Sequence, residues 1–284
     1  MPASSKIIVN TGNVLNLIEI KQKAGQNVTE ELVESLQITV ADWEKNKTAG
    51  IAVTQNGTVG EGVKAGAGRV VMSRRQDDLL AKMAEEDRKN LKIGVKVFVE
   101  DDSIASLVDC LENVYETLDI EAIDNLVLAY NPAARTEGVG SDLTNGDAQT
   151  TCDRILPRLK VLWSTLEEKY VKTGRILQLG VADIEEACFK NLHSWSSVQP
   201  TIVQINLSSC CVVPPGLQAF CKENDVQLLT HSDPQEIISS KVLGGILGAN
   251  VEFIDWCVRF QVHIRCRGVL SLKGYITCAT VDQL

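Results

Sequence analysis

The chain has 284 residues, 44% hydrophobic and 23% charged, which is typical of a globular protein with one large α/β domain or two smaller ones. Its 28 basic and 37 acidic residues give a net charge of −9, which disfavours nucleic acid and anionic membranes as partners. No apolar run is long enough to span a bilayer, and the first 16 residues do not resemble a signal peptide. We therefore expect a cytoplasmic protein.

Nine cysteines and three histidines are the residues that could carry metal or redox chemistry. No Cys-x-x-Cys pair occurs, and with so few histidines neither a zinc-finger nor a thioredoxin-type spacing can be assembled. In a cytoplasmic chain we expect the cysteines to be reduced thiols, most of them buried as small hydrophobic residues. No metal site is predicted.

The middle of the chain alternates between strand and helix patterns. Strands are predicted over residues 92–99, 123–130, 175–182, 201–207 and 226–230. Helices are predicted between them, over residues 104–118, 156–170, 184–195 and 214–223, because apolar residues recur there every three or four positions. Residues 101–103 and Asp183 are expected to cap helices, and Gly174 to follow the end of one.

Strands that are separated by single helices pair in parallel through right-handed crossovers. Continued to the C-terminus, this spacing favours a (β/α)8 TIM barrel over an open doubly wound sheet, without excluding the latter. We therefore predict an α/β fold with a single barrel domain over residues 1–284.

Two segments interrupt the alternation. Residues 49–69 indicate a strand with loose turns, and residues 132–149 indicate a long surface loop. The glycines of the first segment do not fit a phosphate-binding loop or a dinucleotide fingerprint, because no Gly-Lys-Ser/Thr follows them. These glycines are Gly57, Gly60, Gly62, Gly66 and Gly68.

Several short motifs follow one another between residues 101 and 233. They are IDNLVLAYNP from Ile123, Trp163 with GRI from Gly174, LGV from Leu179, and QP from Gln199 followed by VQIN from Val203. In this order they resemble strands four to six of the aldo-keto reductases. The resemblance implies an aldo-keto-reductase-like barrel. In that family a tyrosine, assisted by a lysine, an aspartate and a histidine, protonates a carbonyl as NADPH delivers hydride.

Longer runs span the chain from end to end. They are TGNVLN from Thr11, VQINLSSCCVVPP from Val203, VQLLTHSDP from Val226, and RCRGVL from Arg265 with KGYI from Lys273. These runs are similar to the regulatory (modifier) subunits of glutamate–cysteine ligase. The resemblance implies a non-catalytic regulator of glutathione biosynthesis that forms a heterodimer with the catalytic subunit. It would improve the use of glutamate and relax feedback inhibition by glutathione. No cofactor is implied for this chain, because ATP, magnesium and the substrates would bind the catalytic subunit.

Reductase chemistry is not expected from the residues at the family's catalytic positions. The catalytic tyrosine of aldo-keto reductases lies before the third strand, and all four tyrosines here come later. In the nicotinamide pocket Tyr130 replaces a histidine, Ala182-Asp183 replaces a Ser-Asn pair, and His231 replaces a stacking tyrosine, whereas Gln204 keeps its identity. The chain is therefore predicted not to be an enzyme. The alternative is an NADPH-dependent, aldo-keto-reductase-like oxidoreductase with an altered active site.

Two sets of residues are candidates for a role around strand ends. Gln204, His231 and Tyr130 could form a vestigial cofactor pocket, although His231 is also explained as a hydrogen-bonded structural histidine. Cys210 and Cys211 either fill space at the end of a strand or form a redox-responsive or partner-contacting pair, because functional sites in barrels gather at that edge.

Residues 251–276 combine aromatic and apolar side chains with interleaved basic residues. The segment is either the last helix and strand of the barrel or part of the contact with the catalytic subunit, because aromatic residues and arginine are preferred at interface centres. The interface candidates are Trp256, Arg265, Arg267, Lys273 and Tyr275.

Overall fold

The computed structural model describes residues 5–17, 20, 26–48, 69–132, 148–206 and 213–282, and for 148–151 the backbone alone. The strands are β1 Ser5–Asn10, β2 Arg69–Ser73, β3 Leu91–Val99, β4 Ile123–Tyr130, β5 Ile176–Ala182, β6 Ile202–Asn206, β7 Gln227–His231, β8 Val251–Ile264 and β9 Val269–Val281. The helices are α1 Val28–Thr48, α2 Leu79–Met83, α3 Ile104–Leu118, α4 Ala148–Leu166, α5 Glu186–Trp195, α6 Pro215–Glu223 and α7 Ser240–Leu247. None of these helices is long and apolar enough to cross a membrane.

Three predictions fall outside the described residues. They concern the glycine-rich turn region of residues 49–68, the predicted loop of residues 133–147, and the cysteine pair Cys210 and Cys211. They stay predictions.

The chain divides into two compact units. Unit 1 consists of Met1–Lys92, Glu112–Asp119 and Glu236–Leu284, and unit 2 consists of Ile93–Leu111 and Ile120–Gln235. The predicted single domain over the whole chain stays a prediction.

Unit 2 is built on a parallel sheet in the order β3-β4-β5-β6-β7. Each of its strands lies within one residue of the predicted bounds at either end. A parallel sheet is buried on both faces, which requires strands rich in valine, leucine and isoleucine. The α/β class predicted from the sequence is therefore confirmed.

Strand alternation divides the side chains of this sheet between two faces. The first, which we call the polar face, carries Lys96 on β3, Gln204 on β6 and His231 on β7. The opposite face is apolar and almost completely buried. Its side chains include Val97, Leu128, Val181 and Val203.

Two of the predicted helix ends are confirmed and one is wrong. The Ser103 hydroxyl accepts a hydrogen bond from the Ser106 N–H at 3.2 Å, as expected of the cap of α3, and Gly174 has a positive φ of 76°. Asp183, however, does not cap α5, whose N-cap is Glu185. The reason is that the side chain of Asp183 binds His231 instead.

The strands of unit 1 are hydrogen-bonded in the order β2-β1-β9-β8. β1 is parallel to β2 and antiparallel to β9, and β9 is antiparallel to β8. Residues 251–276 are therefore a long β-hairpin, and the expectation of a last helix and strand is wrong. Apolar residues occupy every second position from Trp256 to Val262, and this period of two puts them all on one side of a strand.

Hydrogen bonds and ion pairs attach α1 to β9 in unit 1. Glu31 on α1 accepts from the Tyr275 hydroxyl at 2.6 Å and pairs with Lys273 Nζ at 2.6 Å. β9 also lies against the segment after β1, where a Cβ on Gly274 would be 2.1 Å from the Gly12 carbonyl oxygen. Only glycine fits at position 274, because any side chain would overlap that backbone.

A disulfide joins the helices on either side of β5. Cys152 on α4 and Cys188 on α5 are bonded, with their Cα atoms 5.4 Å apart. The expectation that all the cysteines are reduced is therefore wrong for this pair. Of the remaining described cysteines, Cys266 is exposed and the other four are buried, as expected of small hydrophobic residues.

Candidate functional site

The carboxyl ends of the parallel strands in unit 2 bring together a group of polar side chains. Because parallel strands end at one edge of their sheet, residues distant in sequence meet there. We call this group the carboxyl-end cluster. It comprises Lys96 on β3, Asp183 after β5, Asn206 on β6, His231 on β7 and Asp233 after β7.

Lys96 and Asp233 form a buried ion pair. Lys96 Nζ lies 2.8 Å from Asp233 Oδ2, and the two side chains are 5% and 2% exposed. The ammonium also lies 5.3 Å from the ring centre of Phe98, which favours the cation. Removing one member of such a pair leaves a buried charge without compensation, so each residue depends on the other.

His231 connects this ion pair to a second carboxylate. Its Nε2 lies 2.9 Å from Asp183 Oδ1, and its Nδ1 lies 3.3 Å from Asp233 Oδ2. The Asp233 backbone N–H also reaches Nδ1, at 3.1 Å. In the neutral ring Nδ1 accepts this N–H while Nε2 donates to Asp183, and in the charged ring Nδ1 donates to the Asp233 carboxylate. Both protonation states are therefore accommodated in one position of the ring.

Two carboxylates determine the protonation of His231. Burial lowers the pKa of His231, but the hydrogen bonds to Asp183 and Asp233 outweigh burial, and the net pKa is raised above 6.5. Lys96 opposes them in part. With the ring protonated, positive and negative groups alternate through the cluster from Lys96 to Asp183, and the charges balance internally.

Asp183 reaches His231 because of an uncommon backbone conformation. Its φ is +56°, in the left-handed region that aspartate tolerates better than most residues. Its N–H donates to the Gln204 carbonyl oxygen at 3.0 Å, which holds the end of β5 against β6. The strained residue is thus fixed by its neighbours, as is common at functional sites.

Gln204 lies on the polar face, next to Ala182 and Leu229 on the neighbouring strands. Its side-chain oxygen is buried and accepts no hydrogen bond from a described residue, and the same holds for Asn125 Oδ1 on the same face. Around them the face is apolar and includes Val127, Ala129, Ala182 and Ile202. The polar face thus offers acceptors surrounded by apolar surface.

Tyr130 is not brought together with Gln204 and His231. Its register partner Val99 lies on the apolar side of the sheet, so Tyr130 points to the face opposite Gln204. Burial is the main cause that raises the pKa of the Tyr130 hydroxyl. Of the three candidates, Gln204 and His231 therefore share one face of the sheet and Tyr130 does not, and the vestigial pocket itself stays a prediction.

The residues that the sequence did not single out are Lys96, Asp233 and Asn206. Lys96 has other charged residues near it in sequence, Lys92 within β3 and Glu100 directly after it, so no local pattern indicates that Lys96 is buried. Asp233 pairs with it from 137 positions away. Asn206 supports Asp233 by donating to its carbonyl oxygen at 2.6 Å.

The interface candidates of unit 1 separate into buried and exposed residues. Trp256 and Tyr275 are fully buried, so their aromatic rings belong to the core of unit 1 and not to its surface. Lys273 is engaged by Glu31. Arg265 and Arg267 lie in the exposed turn between β8 and β9.

In the described part of the chain, no group of three His, Cys, Asp or Glu side chains is arranged to hold a metal ion.

A comparison with protein families identifies the group to which this arrangement belongs. The family model of the aldo/keto reductase family matches residues 75–233, more than half of the chain. The chain belongs to the aldo/keto reductase family. The fold class expected from the short motifs, an α/β fold of the aldo-keto reductase kind, is thereby confirmed.

The curated relatives that this chain resembles are named as regulatory subunits of one enzyme. The chain is similar to the glutamate–cysteine ligase regulatory subunit of Rattus norvegicus, at 28% identity over 96% of this chain and 92% of that protein. It is also similar to that of Homo sapiens, at 28% identity over 94% of this chain and 90% of that protein. A putative regulatory subunit of Schizosaccharomyces pombe is 27% identical over 60% of this chain and 62% of that protein. The resemblance inferred from the sequence runs is confirmed.

Solved aldo-keto reductases are more distant. An aldo/keto reductase from Brucella melitensis has a TM-score of 0.38 and 15% identity, covering 55% of this chain and 54% of that chain. An aldo-keto reductase from Bombyx mori in complex with NADP has a TM-score of 0.36 and 13% identity, covering 80% of this chain and 62% of that chain. This chain thus covers less than two thirds of either solved chain.

Membership of this family implies a nicotinamide cofactor, and the carboxyl-end cluster is where its ring would bind. The free acceptor on Gln204 would suit the amide N–H of a carboxamide. The carboxamide oxygen needs a donor, but Asp183 is an acceptor, and Lys96 and His231 already donate to carboxylates of the cluster. The ion pair between Asp183 and His231 also joins the ends of β5 and β7, on either side of β6. The described residues therefore do not fit a nicotinamide ring, and we assign no hydride transfer to this face.

Proposed function

We propose that this chain is a non-catalytic regulatory subunit of glutamate–cysteine ligase. The observation that carries the proposal is the similarity to named regulatory subunits over nearly the full length of both proteins. Similarity over that extent is what a shared role requires, because a partner-binding surface draws on many parts of a fold. We expect the chain to act in the cytoplasm.

The side chains of the carboxyl-end cluster support a role without catalysis of its own. Lys96, Asp183 and His231 are engaged with one another or with Asp233. A general acid must be able to reach the reacting atom and exchange its proton. In this chain the ionisable groups of the polar face stabilise the fold instead.

The proposed partner is the catalytic subunit of glutamate–cysteine ligase, in a heterodimer. That subunit would bind ATP, magnesium, glutamate and cysteine. The regulatory chain would bind one conformation of its partner more tightly than another, and a coupling of about 1–3 kcal/mol is typical of such effects. We expect it to lower the glutamate concentration that the ligase needs and to weaken inhibition by glutathione.

The test is a reconstitution with the matching catalytic subunit. Ligase activity is measured across a glutamate titration, with and without this chain, and the mixture is analysed by size-exclusion chromatography. We expect co-elution and an apparent KM for glutamate lowered about five-fold or more, as a coupling of 1 kcal/mol or more requires. The glutathione inhibition curve should shift to higher concentration. Failure to associate under both reducing and oxidising conditions would overturn the proposal.

A reductase with an altered site is the second candidate, favoured by the family match alone. Titration with NADPH, followed by quenching of nicotinamide fluorescence, separates the two. We expect no saturable quenching, because the donors of the carboxyl-end cluster are already engaged. Saturable binding together with NADPH oxidation by a carbonyl substrate would favour the reductase.

A further inference from the structure

The turn between β8 and β9, in unit 1, is exposed and contains no residue of the carboxyl-end cluster. Residues 265–268 are all exposed, and the turn is closed by the Gly268 N–H, which donates to the Ile264 carbonyl oxygen at 2.8 Å. Val269 follows and is 51% exposed. The turn therefore presents both charged and apolar surface to a partner.

Hydrogen bonds fix the turn to the segment that leads into β3. The Arg265 N–H donates to the Asn90 carbonyl oxygen, and Arg265 Nε donates to the Leu91 carbonyl oxygen, both at 2.8 Å. Arg88 donates to the same Leu91 oxygen at 3.1 Å. Two guanidinium groups thus converge on one carbonyl oxygen. Because the backbone holds them, they would lose little conformational entropy on binding.

Two further cations extend this patch. Lys89 has a side chain that is 79% exposed, and that of Arg267 is 66% exposed. Their described ion pairs are with Asp87 at 3.4 Å and Glu86 at 3.6 Å, geometries that are weak at a surface. We call the whole patch the basic hairpin surface. It comprises Arg88, Lys89, Arg265, Cys266, Arg267 and Val269.

The sign of this surface differs from that of the protein as a whole. Its four cations outnumber Glu86 and Asp87, the two carboxylates described as pairing with them, in a chain whose net charge is −9. Arginine is the cation preferred at protein interfaces, because its planar guanidinium binds carboxylates through two parallel hydrogen bonds. A nucleic acid would be repelled by the rest of the molecule. The surface therefore fits carboxylate groups on another protein.

We propose that the basic hairpin surface is a docking site for an acidic surface of the catalytic subunit. This assignment rests on the proposed function and adds the place of contact. The arginines would pair with carboxylates of the partner, while Val269 and Cys266 would contribute apolar contact at the centre of the turn. The fixed backbone of the turn would set the orientation of the two proteins.

The test is a charge reversal that spares the tethered arginines. In Lys89→Glu with Arg267→Glu, two largely exposed cations become anions, and neither makes a described backbone hydrogen bond with its side chain. The matched control is Lys222→Glu with Lys241→Glu, an equal change of charge at two exposed lysines. We expect the Kd for the catalytic subunit to rise about ten-fold or more at low salt in the test variant, and the control to stay within about two-fold. The effect should shrink as salt is raised.

Cys266 provides an independent readout in the unaltered protein. Its exposed thiol is alkylated with iodoacetamide, and the modified peptide is quantified by mass spectrometry with and without the catalytic subunit. We expect alkylation of Cys266 to slow several-fold in the complex. Equal alkylation rates, or equal binding by the test variant and the wild-type chain, would overturn this docking site while leaving the proposed function intact.

Two other outcomes would also overturn the assignment. If the wild-type chain does not bind the catalytic subunit at all, both the docking site and the proposed function fail. If the wild-type chain alone forms a dimer that the test variant does not form, the surface binds a second copy of this chain instead. Light scattering of the free proteins distinguishes that result.

Discussion

His231 and Asp183 meet across the end of β6, with Nε2 and Oδ1 2.9 Å apart, although 48 positions separate them in the sequence. Their ion pair joins the carboxyl ends of β5 and β7, while Asp233 holds the other side of the imidazole. The protonation state of one histidine therefore affects how firmly three neighbouring strands are held together at their ends.

The three histidines of the chain should titrate on different sides of pH 6.5. The pKa of His231 is raised by its two carboxylates, whereas burial lowers the pKa of His193 and of His263. An NMR titration of the imidazole protons measures all three. Asp183→Asn should lower the pKa of His231 and leave the other two unchanged. A pKa of His231 below those of His193 and His263 would contradict this cluster.

The same shift predicts how stability depends on pH. Because the folded-state pKa of His231 is raised, its protonation stabilises the fold fully below the unfolded value of 6.5. This contribution is lost as pH rises through the folded pKa. The difference in free energy of unfolding between wild type and His231→Gln should therefore be larger at pH 5.5 than at pH 9. Urea denaturation at both pH values measures it, and an equal difference would count against the prediction.

Loss of Lys96 should destabilise the protein strongly. Lys96→Met leaves the Asp233 carboxylate buried without its main cation, and we expect a loss of about 3 kcal/mol in the free energy of unfolding. The double change Lys96→Met with Asp233→Asn should cost less than the sum of the two single changes, because it removes both charges. Additive losses in urea denaturation would show that the two residues are not coupled.

The disulfide between Cys152 and Cys188 should contribute to stability under oxidising conditions. It closes a loop with a sequence separation of 36, for which the chain-entropy account gives at most about 4 kcal/mol. We expect dithiothreitol to lower the Tm of the wild-type chain by several degrees. The matched control, Cys152→Ser with Cys188→Ser, should melt at the lower temperature with or without reductant. A wild-type Tm that does not respond to full reduction would contradict the prediction.

Two glycines should respond in opposite directions to the same substitution. Gly274→Ala places a methyl group 2.1 Å from the Gly12 carbonyl oxygen and 2.3 Å from the Phe260 ring, and we expect a loss of about 2 kcal/mol or more. Gly245→Ala on α7 meets no atom within 4 Å, and alanine favours helix by about 0.5–1 kcal/mol. Thermal unfolding of both variants tests the pair, and a stable Gly274→Ala protein would contradict the close approach of β9.

The sequence was most informative where local pattern and tertiary structure agree. The strands of unit 2 are continuous apolar runs between polar turns, so their bounds follow from residue type alone. Extending that alternation beyond α7 predicts a helix, whereas the period of two in β8 indicates a strand. The local pattern is the better guide there, because β8 pairs with the adjacent β9 and needs no crossover helix.

The carboxyl-end cluster was less predictable for a physical reason. His231 could be placed, because it directly follows a run that the sequence defines well as a strand. Asp183 was expected to cap a helix, since nothing local indicates a positive φ or a partner 48 positions away. Lys96 has the appearance of an ordinary strand lysine until its partner Asp233 is placed beside it. Pairings over such distances are set by topology and not by neighbouring residues.

The position of β9 in unit 1 has a consequence for biosynthesis. β1 is translated before the other described strands and pairs with β9 along its whole length, from Ser5 opposite Val281 to Asn10 opposite Ile276. Since β9 follows all the other described strands in the sequence, the side of β1 that pairs with β9 has no partner until β9 has been synthesised, and this pairing is highly non-local. The strands of unit 2 are translated before that point. Nascent chains that stop short of β9 would thus leave one edge of β1 open while β2 pairs with the other, and open strand edges are what chaperones and proteases recognise.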